Sequence, residues 1–291
     1  MDRSRHYAIR SVLVILGLFW WSTACGSAGA MGEGSPATPG ATLTIFAASS
    51  LAEVMRKITE EYQAIVPGLE IDLILAGSQE SRTQIDHGAQ SDIFLSADAK
   101  QMALALEAGL VRGRPAEFTS NSLAVIFANS YAPTRDPLND PDLAALKDLA
   151  SPGVSLALAL PEVPAGAYAR DALRDLEEMM GPDSQGYAGN VMANVVTLET
   201  NVRGVAMKVA LGEVDAGIVY STDVRPAFVA ENTRQIPIPP EADQQATYLA
   251  AVLKGSRQPD LADRFARFLI SARGQAIFEA YGFGPLPTIG E

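Results

Sequence analysis

The sequence predicts an α/β protein of two similar lobes, each a mostly parallel sheet with flanking helices, joined by a hinge of two crossover strands. Three observations predict it. Short apolar runs alternate with stretches of helical period from Leu43 to Leu253, the βαβ rhythm of a parallel sheet. The order of elements before Leu123 is similar to the order after it, without any repeat of the sequence itself. Small or hydroxyl residues stand at the ends of several strands, directly before helices, where open α/β sheets hold their ligands.

The first strand is Leu43–Phe46, followed by a helical pattern over Leu51–Val66. Leu69–Leu75 is the second strand and ends at Ala76-Gly-Ser78, from which a helix runs to about Gly88. Ile93–Leu95 is a strand and Gln101–Ala108 a helix. Leu123–Ala128 is a strand preceded by Thr119-Ser-Asn-Ser122 and followed by a Pro- and Asp-rich loop, Pro133–Pro141. The second α/β unit has strands at Ser155–Ala159, Val195–Leu198 and Ala216–Val219, with helices at Ala167–Met180 and Val202–Leu211. Tyr248–Leu253 is a late strand, and Leu261–Tyr281 forms one or two amphipathic helices. Crossings near Leu123 and Leu249 divide the chain into lobe I, residues 43–122 and 249–291, and lobe II, residues 123–248.

The N-terminus reads as an address. Arg3, Arg5 and Arg10 precede an apolar stretch, Ser11 to Trp21, of signal-peptide length. Ser-Thr-Ala-Cys25 follows, and Cys25 is the only cysteine of the 291 residues. A lone cysteine after small residues at the end of a signal resembles a bacterial lipobox, although Ser22 stands where that pattern usually has leucine. Residues 1–24 are then a signal peptide, Cys25 a lipidated N-terminus, and residues up to 42 a Gly-, Ala-, Ser-, Pro- and Thr-rich tether. Lipid chains on Cys25 would hold the domain at a membrane surface, placing it outside the cytoplasm. No apolar run reaches the length of about 18 residues that spans a bilayer.

Removal of the signal leaves 19 basic and 33 acidic side chains, a net charge of −14. So acidic a surface argues against nucleic acid and anionic lipid as ligands, yet a local site can still hold an anion. Four segments share one design: Ala48-Ser-Ser50, Ala76-Gly-Ser78-Gln79, Pro164-Ala-Gly166-Ala167 and Thr200-Asn-Val-Arg-Gly204. Each sets small or hydroxyl residues where a helix begins and its first N–H groups lack partners. A fifth segment, Ala216 to Asp223, closes a strand with the phenol of Tyr220. One such corner alone is an ordinary helix cap. Facing one another across a cleft, they would surround a small ligand with neutral donors.

Six strings in order carry a specific resemblance: F-A-A-S-S-L (46–51), A-Q-S-D-I-F-L-S-A-D (89–98), N-S-L-A-V-I (121–126), P-A-G-A-Y-A-R-D-A-L (164–173), N-V-R-G-V-A-M-K-V-A-L-G-E-V-D-A-G-I-V-Y-S-T-D (201–223) and G-Q-A-I-F-E-A-Y-G-F (274–283). Together they resemble the periplasmic molybdate-binding protein family, the substrate-binding components of ABC importers, over about residues 43–284. The resemblance implies a type II periplasmic-binding-protein fold with molybdate or tungstate held between the lobes. It implies a membrane permease driven by a cytoplasmic ATPase as partner, a monomeric state, and no cofactor. Carried over one at a time, the ligating positions fall on the side chains of Ser50, Ser78 and Tyr220 and on the backbone N–H groups of Ala165 and Val202. Ser49 is the register alternative to Ser50. The family often has further hydroxyls after its second serine, where this chain has Gln79-Glu-Ser81. Glu80 is expected to face outward, as an acid in the first turn of a helix.

The chemistry agrees with that resemblance. Molybdate, tungstate and sulfate are fully deprotonated near neutral pH and only accept hydrogen bonds, so their ideal site is all donors. Hydrogen phosphate carries a proton and needs an acceptor. A serine hydrolase using Ser49 or Ser50 would want a base, and the mature chain offers only His87 and no G-x-S-x-G elbow. A metal site fails for the same lack of histidine and thiol. Other solutes carried on this fold include sulfate, phosphate, ferric iron and organic solutes. Ferric carriers pair tyrosines, whereas Tyr220 lies between Val219 and Ser221. An organic carboxylate wants an arginine, and Arg203 is read instead as the structural partner of an acidic neighbour. A purely structural surface lipoprotein fits the tether but does not require the four donor corners.

Overall fold

The computed structural model describes residues 40–131 and 141–286. The signal segment, Cys25 and the tether up to residue 39 lie outside the described residues, as does the Pro/Asp-rich loop except for Pro141. The first strands and helices are β1 (Ala41–Ala48), α1 (Ala52–Ile65), β2 (Leu69–Ala76), α2 (Ser78–Asp86), β3 (Ile93–Ser96), α3 (Ala99–Glu107), β4 (Val111–Asn121) and β5 (Leu123–Ala128). They continue with α4 (Pro141–Asp148), β6 (Leu156–Ala159), α5 (Pro164–Met180), α6 (Tyr187–Ala193), β7 (Val195–Glu199), α7 (Val202–Ala210) and β8 (Ala216–Tyr220). The last are α8 (Ala227–Asn232), β9 (Thr233–Pro237), β10 (Ala246–Leu253), α9 (Pro259–Leu269) and α10 (Ala272–Ala280).

These strands form two sheets of five, ordered β2-β1-β3-β10-β4 and β7-β6-β8-β5-β9. The βαβ strands pair in parallel, β1 with β2 and β3, and β6 with β7 and β8. The antiparallel pairs all involve β10 or β5, the strands that enter their sheets from the other half. The sheets are therefore mixed, with the expected parallel pairing confined to the βαβ units. The chain passes between halves twice, at Ser122 and over residues 238–245. Leu123 N donates to Asp243 Oδ1 at 2.9 Å, tying the two passages together.

Burial explains the strands. β3, β5, β6 and β8 are buried at every residue, as strands covered on both faces must be, and so they read as unbroken apolar runs. On the first sheet, α1 buries Val54, Met55, Ile58 and Tyr62, and α9 buries Leu261, Phe265 and Phe268. Tyr62 meets Phe265 edge-on with centroids 5.0 Å apart, a geometry that aromatic quadrupoles favour. A separate cluster of Phe46, Phe94, Ile85 and Met102 joins β1 and β3 to α2 and α3. On the second sheet, α5 buries Ala169, Ala172, Leu173 and Leu176, and α7 buries Val205, Ala206 and Val209.

The strands absent from the sequence reading, β4 and β9, are edge strands. β4 carries Arg112, Gly113, Arg114 and Pro115, and β9 ends on Pro237. Edge positions tolerate proline and charge because one side of the backbone lacks a ladder partner. Pro141 does not close a loop but starts α4, since proline at the first helical position forfeits no hydrogen bond.

Candidate functional site

The strand ends that carry the donor corners converge. Ser50, Ser78, Ala165, Val202 and Tyr220 all line one small cavity of about 10 Å³, with Ser49, Gly77 and Ala97 beside them. Ser50 and Ser78 come from the half built on the first sheet, and Ala165, Val202 and Tyr220 from the other. The lining includes no lysine, arginine, aspartate or glutamate.

Each donor is set by local structure. Ser50 lies in a 3-10 turn, Ser49–Leu51, between β1 and α1, and is 5% exposed. Its Oγ is 2.8 Å from Tyr248 Oη. Ser78 is the first residue of α2. Its Oγ accepts from Ala97 N at 3.0 Å, which occupies a lone pair and leaves the hydroxyl proton to donate. Ala165 is the second residue of α5, behind Pro164, and its N–H precedes the first intrahelical bond. Val202 opens α7, where the Asn201 side chain caps Gly204 N at 3.0 Å. That cap satisfies the third N–H of the helix and leaves that of Val202 outside the helical ladder.

Tyr220 ends β8 and is 1% exposed, yet its Oη has no hydrogen-bond partner among the described residues. An unpaired buried hydroxyl costs about 1–3 kcal/mol. Burial pushes the Tyr220 phenol well above its ordinary range, so it stays an O–H donor. Ser49 also lines the cavity, but its O accepts from Arg203 Nη1 at 3.5 Å, and its neighbour Ser50 holds the contact to Tyr248.

The two halves also meet around the cavity. Glu53 on α1 and Arg203 on α7 form a two-pronged ion pair at 2.5 and 2.7 Å, the structural role expected of Arg203. Burial would raise the Glu53 carboxyl, but the bonds and charge of Arg203 outweigh it and hold Glu53 below its ordinary range. Gln79 Nε2 donates to Thr200 O at 2.8 Å, and Gln101 Nε2 to Glu162 O at 3.2 Å. Gly77 permits this approach, since a Cβ there would lie 2.7 Å from Thr200 O. Glu80 is exposed on the first turn of α2, as expected, and receives a bond from Gln84. His87 is exposed at the end of α2 and does not line the cavity. No group of acidic, histidine or cysteine side chains suited to a metal ion occurs among the described residues. None of their helices is long and apolar enough to cross a membrane.

Several neighbours of the site had no local signal in the sequence. Tyr248 reaches Ser50 from 198 positions away, and Asn121 reaches Tyr248 from 127. Asp223 is 2% exposed, accepts from Tyr220 N at 3.2 Å through Oδ2, and leaves Oδ1 without a partner among the described residues. Burial raises its carboxyl from 3.8 to about 7, against the lowering pull of Arg203. A raised carboxyl binds its proton more tightly in the folded state. Its contribution to stability is therefore greatest below about pH 4 and declines as pH rises towards 7. Asp223→Asn keeps an acceptor for Tyr220 N and removes this term. Its stability relative to the parent, measured by urea unfolding between pH 5 and 8, should rise with pH by on the order of a few kcal/mol. A difference independent of pH would contradict the burial argument.

Comparison with known proteins follows the same lines. The sequence model of the bacterial extracellular solute-binding protein family matches residues 43–284. The molybdate-binding protein ModA of Mycobacterium tuberculosis is 32% identical over 274 residues, covering 94% of this chain and 95% of that one. Among solved structures, the periplasmic molybdate-binding protein of Azotobacter vinelandii superposes with a TM-score of 0.68 at 18% identity, over 84% of this chain and all of that one. The sulfate-binding protein SubI of Mycobacterium tuberculosis gives a TM-score of 0.70 at 16% identity, over 85% of this chain and 88% of that one. At those identities the two structures establish the shared type II periplasmic-binding-protein fold, which carriers of different oxyanions have in common.

Proposed function

Because the chain belongs to the bacterial extracellular solute-binding proteins, in the molybdate-binding family, we propose that it captures molybdate or tungstate outside the cytoplasm and delivers it to the permease of an ABC importer. The anion sits in the inter-lobe cavity and receives hydrogen bonds from Ser50 Oγ, Ser78 Oγ, Tyr220 Oη, Ala165 N and Val202 N. One observation carries this reading: five residues able to donate hydrogen bonds line one buried cavity, and no side chain of that lining is charged. The unpaired Tyr220 hydroxyl supports it, because an oxyanion oxygen would complete that donor.

A tetrahedral dianion that only accepts is matched by such a wall. Hydrogen phosphate would bring its own proton to a site that offers no carboxylate. Neutral donors also allow release, since the departing anion leaves no uncompensated buried cation behind, as an ion-pair partner would be. We place the hinge at the two passages of the chain, so that opening separates lobe I from lobe II and breaks the Glu53–Arg203 and Gln79–Thr200 contacts. The protein binds and hands over its solute without transforming it. Cys25 is the proposed lipid anchor, and the intact mass of the mature protein, with or without acyl chains, decides that point.

The test is a thermal-shift panel with molybdate, tungstate, sulfate and phosphate at equal concentration. A ligand that binds only the folded state stabilises by about 2.7 kcal/mol at one hundred times its dissociation constant. Molybdate and tungstate should raise the melting temperature most and phosphate least. No shift with any oxyanion would sink the proposal.

A further inference from the structure

The Ser50 hydroxyl stands at the end of a buried chain of polar groups. Asn121 is the last residue of β4, directly before the first passage between halves. Its Nδ2 donates to Thr222 Oγ1 at 2.8 Å and to Tyr248 Oη at 3.4 Å. Tyr248 Oη lies 2.8 Å from Ser50 Oγ. Asn121, Tyr248 and Ser50 are 2%, 0% and 5% exposed, which keeps bulk water from competing along the chain. An amide NH₂ can only donate. A phenol that accepts from it keeps its own proton for Ser50 Oγ, and Ser50 in turn keeps its proton for the cavity.

We propose that Asn121 and Tyr248 are positioning residues that orient the Ser50 proton into the cavity, and that this polarity makes the site prefer fully deprotonated oxyanions over protonated ones. The proposal rests on the reading that Ser50 donates to the bound anion. The opposite polarity shows what is at stake. Were an acceptor presented at position 121, Tyr248 would donate to it and accept from Ser50. Ser50 would then turn lone pairs towards the cavity, repelling an oxyanion oxygen and suiting a P–OH proton. Burial holds the Tyr248 phenol far above its ordinary range, so its proton remains in the chain. Tyr248 is fixed by ring contacts to Phe118, Tyr220 and Phe283, with centroids 6.1, 6.0 and 5.7 Å away, and these do not need the hydroxyl.

The test compares Asn121→Asp and Tyr248→Phe in the Ser50 and the Ser50→Ala backgrounds. Titration calorimetry with molybdate and with phosphate measures each protein. In the Ser50 background each substitution should weaken molybdate binding about tenfold, the scale of one hydrogen bond to a charged ligand. In the Ser50→Ala background the effect of Tyr248→Phe should fall below about twofold, and Asn121→Asp should keep only the part due to its charge. Asn121→Asp should also shift the molybdate-to-phosphate affinity ratio towards phosphate, and only when Ser50 is present. Equal losses in both backgrounds, with an unchanged ratio, would overturn the relay. Should Asn121→Asp fail to fold, Tyr248→Phe alone decides the question through the same double-mutant comparison. A parent protein that binds no oxyanion would overturn the functional reading instead.

Discussion

Removing both cavity hydroxyls, Ser50→Ala with Ser78→Ala, is expected to weaken molybdate binding by roughly 10²- to 10⁴-fold. Each hydroxyl gives a hydrogen bond to a charged ligand, worth about 1.5–3 kcal/mol; the plain sum sets the scale, and sharing one anion couples the two effects. The folded state pays as well. Ser78 Oγ is the acceptor for the buried Ala97 N–H, and leaving that donor unpaired costs about 1–3 kcal/mol. Affinity must therefore be read by calorimetry well below the melting temperature of the variant. Unchanged affinity in both single variants would refute the choice of Ser50 and Ser78 as ligand-facing groups.

The second large effect concerns Gly166. A Cβ at this position would lie 2.1 Å from Leu160 O and 2.5 Å from Ala159 O. Both are backbone atoms at the end of β6, and Leu160 N is itself bonded to Glu199 O at 2.9 Å. Arg170 Nη1 further pins Ala159 O and Gly166 O, at 3.0 and 2.6 Å. The first turn of α5 must therefore shift, and Ala165 N shifts with it. Gly166→Ala should destabilise the fold by about 1–3 kcal/mol or more, as overpacking does, lowering the melting temperature by several degrees. It should also weaken oxyanion binding in the folded protein. Gly189, inside α6, is the matched control, since a Cβ there meets nothing within 4 Å. Gly189→Ala should stabilise slightly, because alanine favours a helix interior over glycine by about 1 kcal/mol. Equal melting temperatures for Gly166→Ala and the parent would contradict the packing argument.

Much of this molecule is legible in its sequence because its central strands are buried on both faces. Leu123–Ala128 and Ala216–Val219 announce themselves as apolar runs, and the residues after them mark the strand ends where donors gather. The five cavity positions follow from those ends together with the family strings. β4 and β9 escape because edge strands carry the charges and prolines that usually mark loops. Tyr248 and Asn121 escape for a different reason. Tyr248 bonds Ser50 across 198 positions and Asn121 bonds Tyr248 across 127, and nothing near Tyr248 in the chain marks its hydroxyl as anything but the start of an apolar strand. Asp223 is similar: in the string Tyr220-Ser-Thr-Asp223 it reads as a turn residue, and only its burial beneath the site reveals a carboxyl held near neutrality.

The most direct test of the central claim is the anomalous diffraction of molybdenum in crystals grown with molybdate. A single strong anomalous peak is expected in the inter-lobe cavity, with oxygens within hydrogen-bonding distance of Ser50 Oγ, Ser78 Oγ, Tyr220 Oη, Ala165 N and Val202 N. A peak elsewhere on the protein, or a cavity that stays without molybdenum at saturating molybdate, would contradict it.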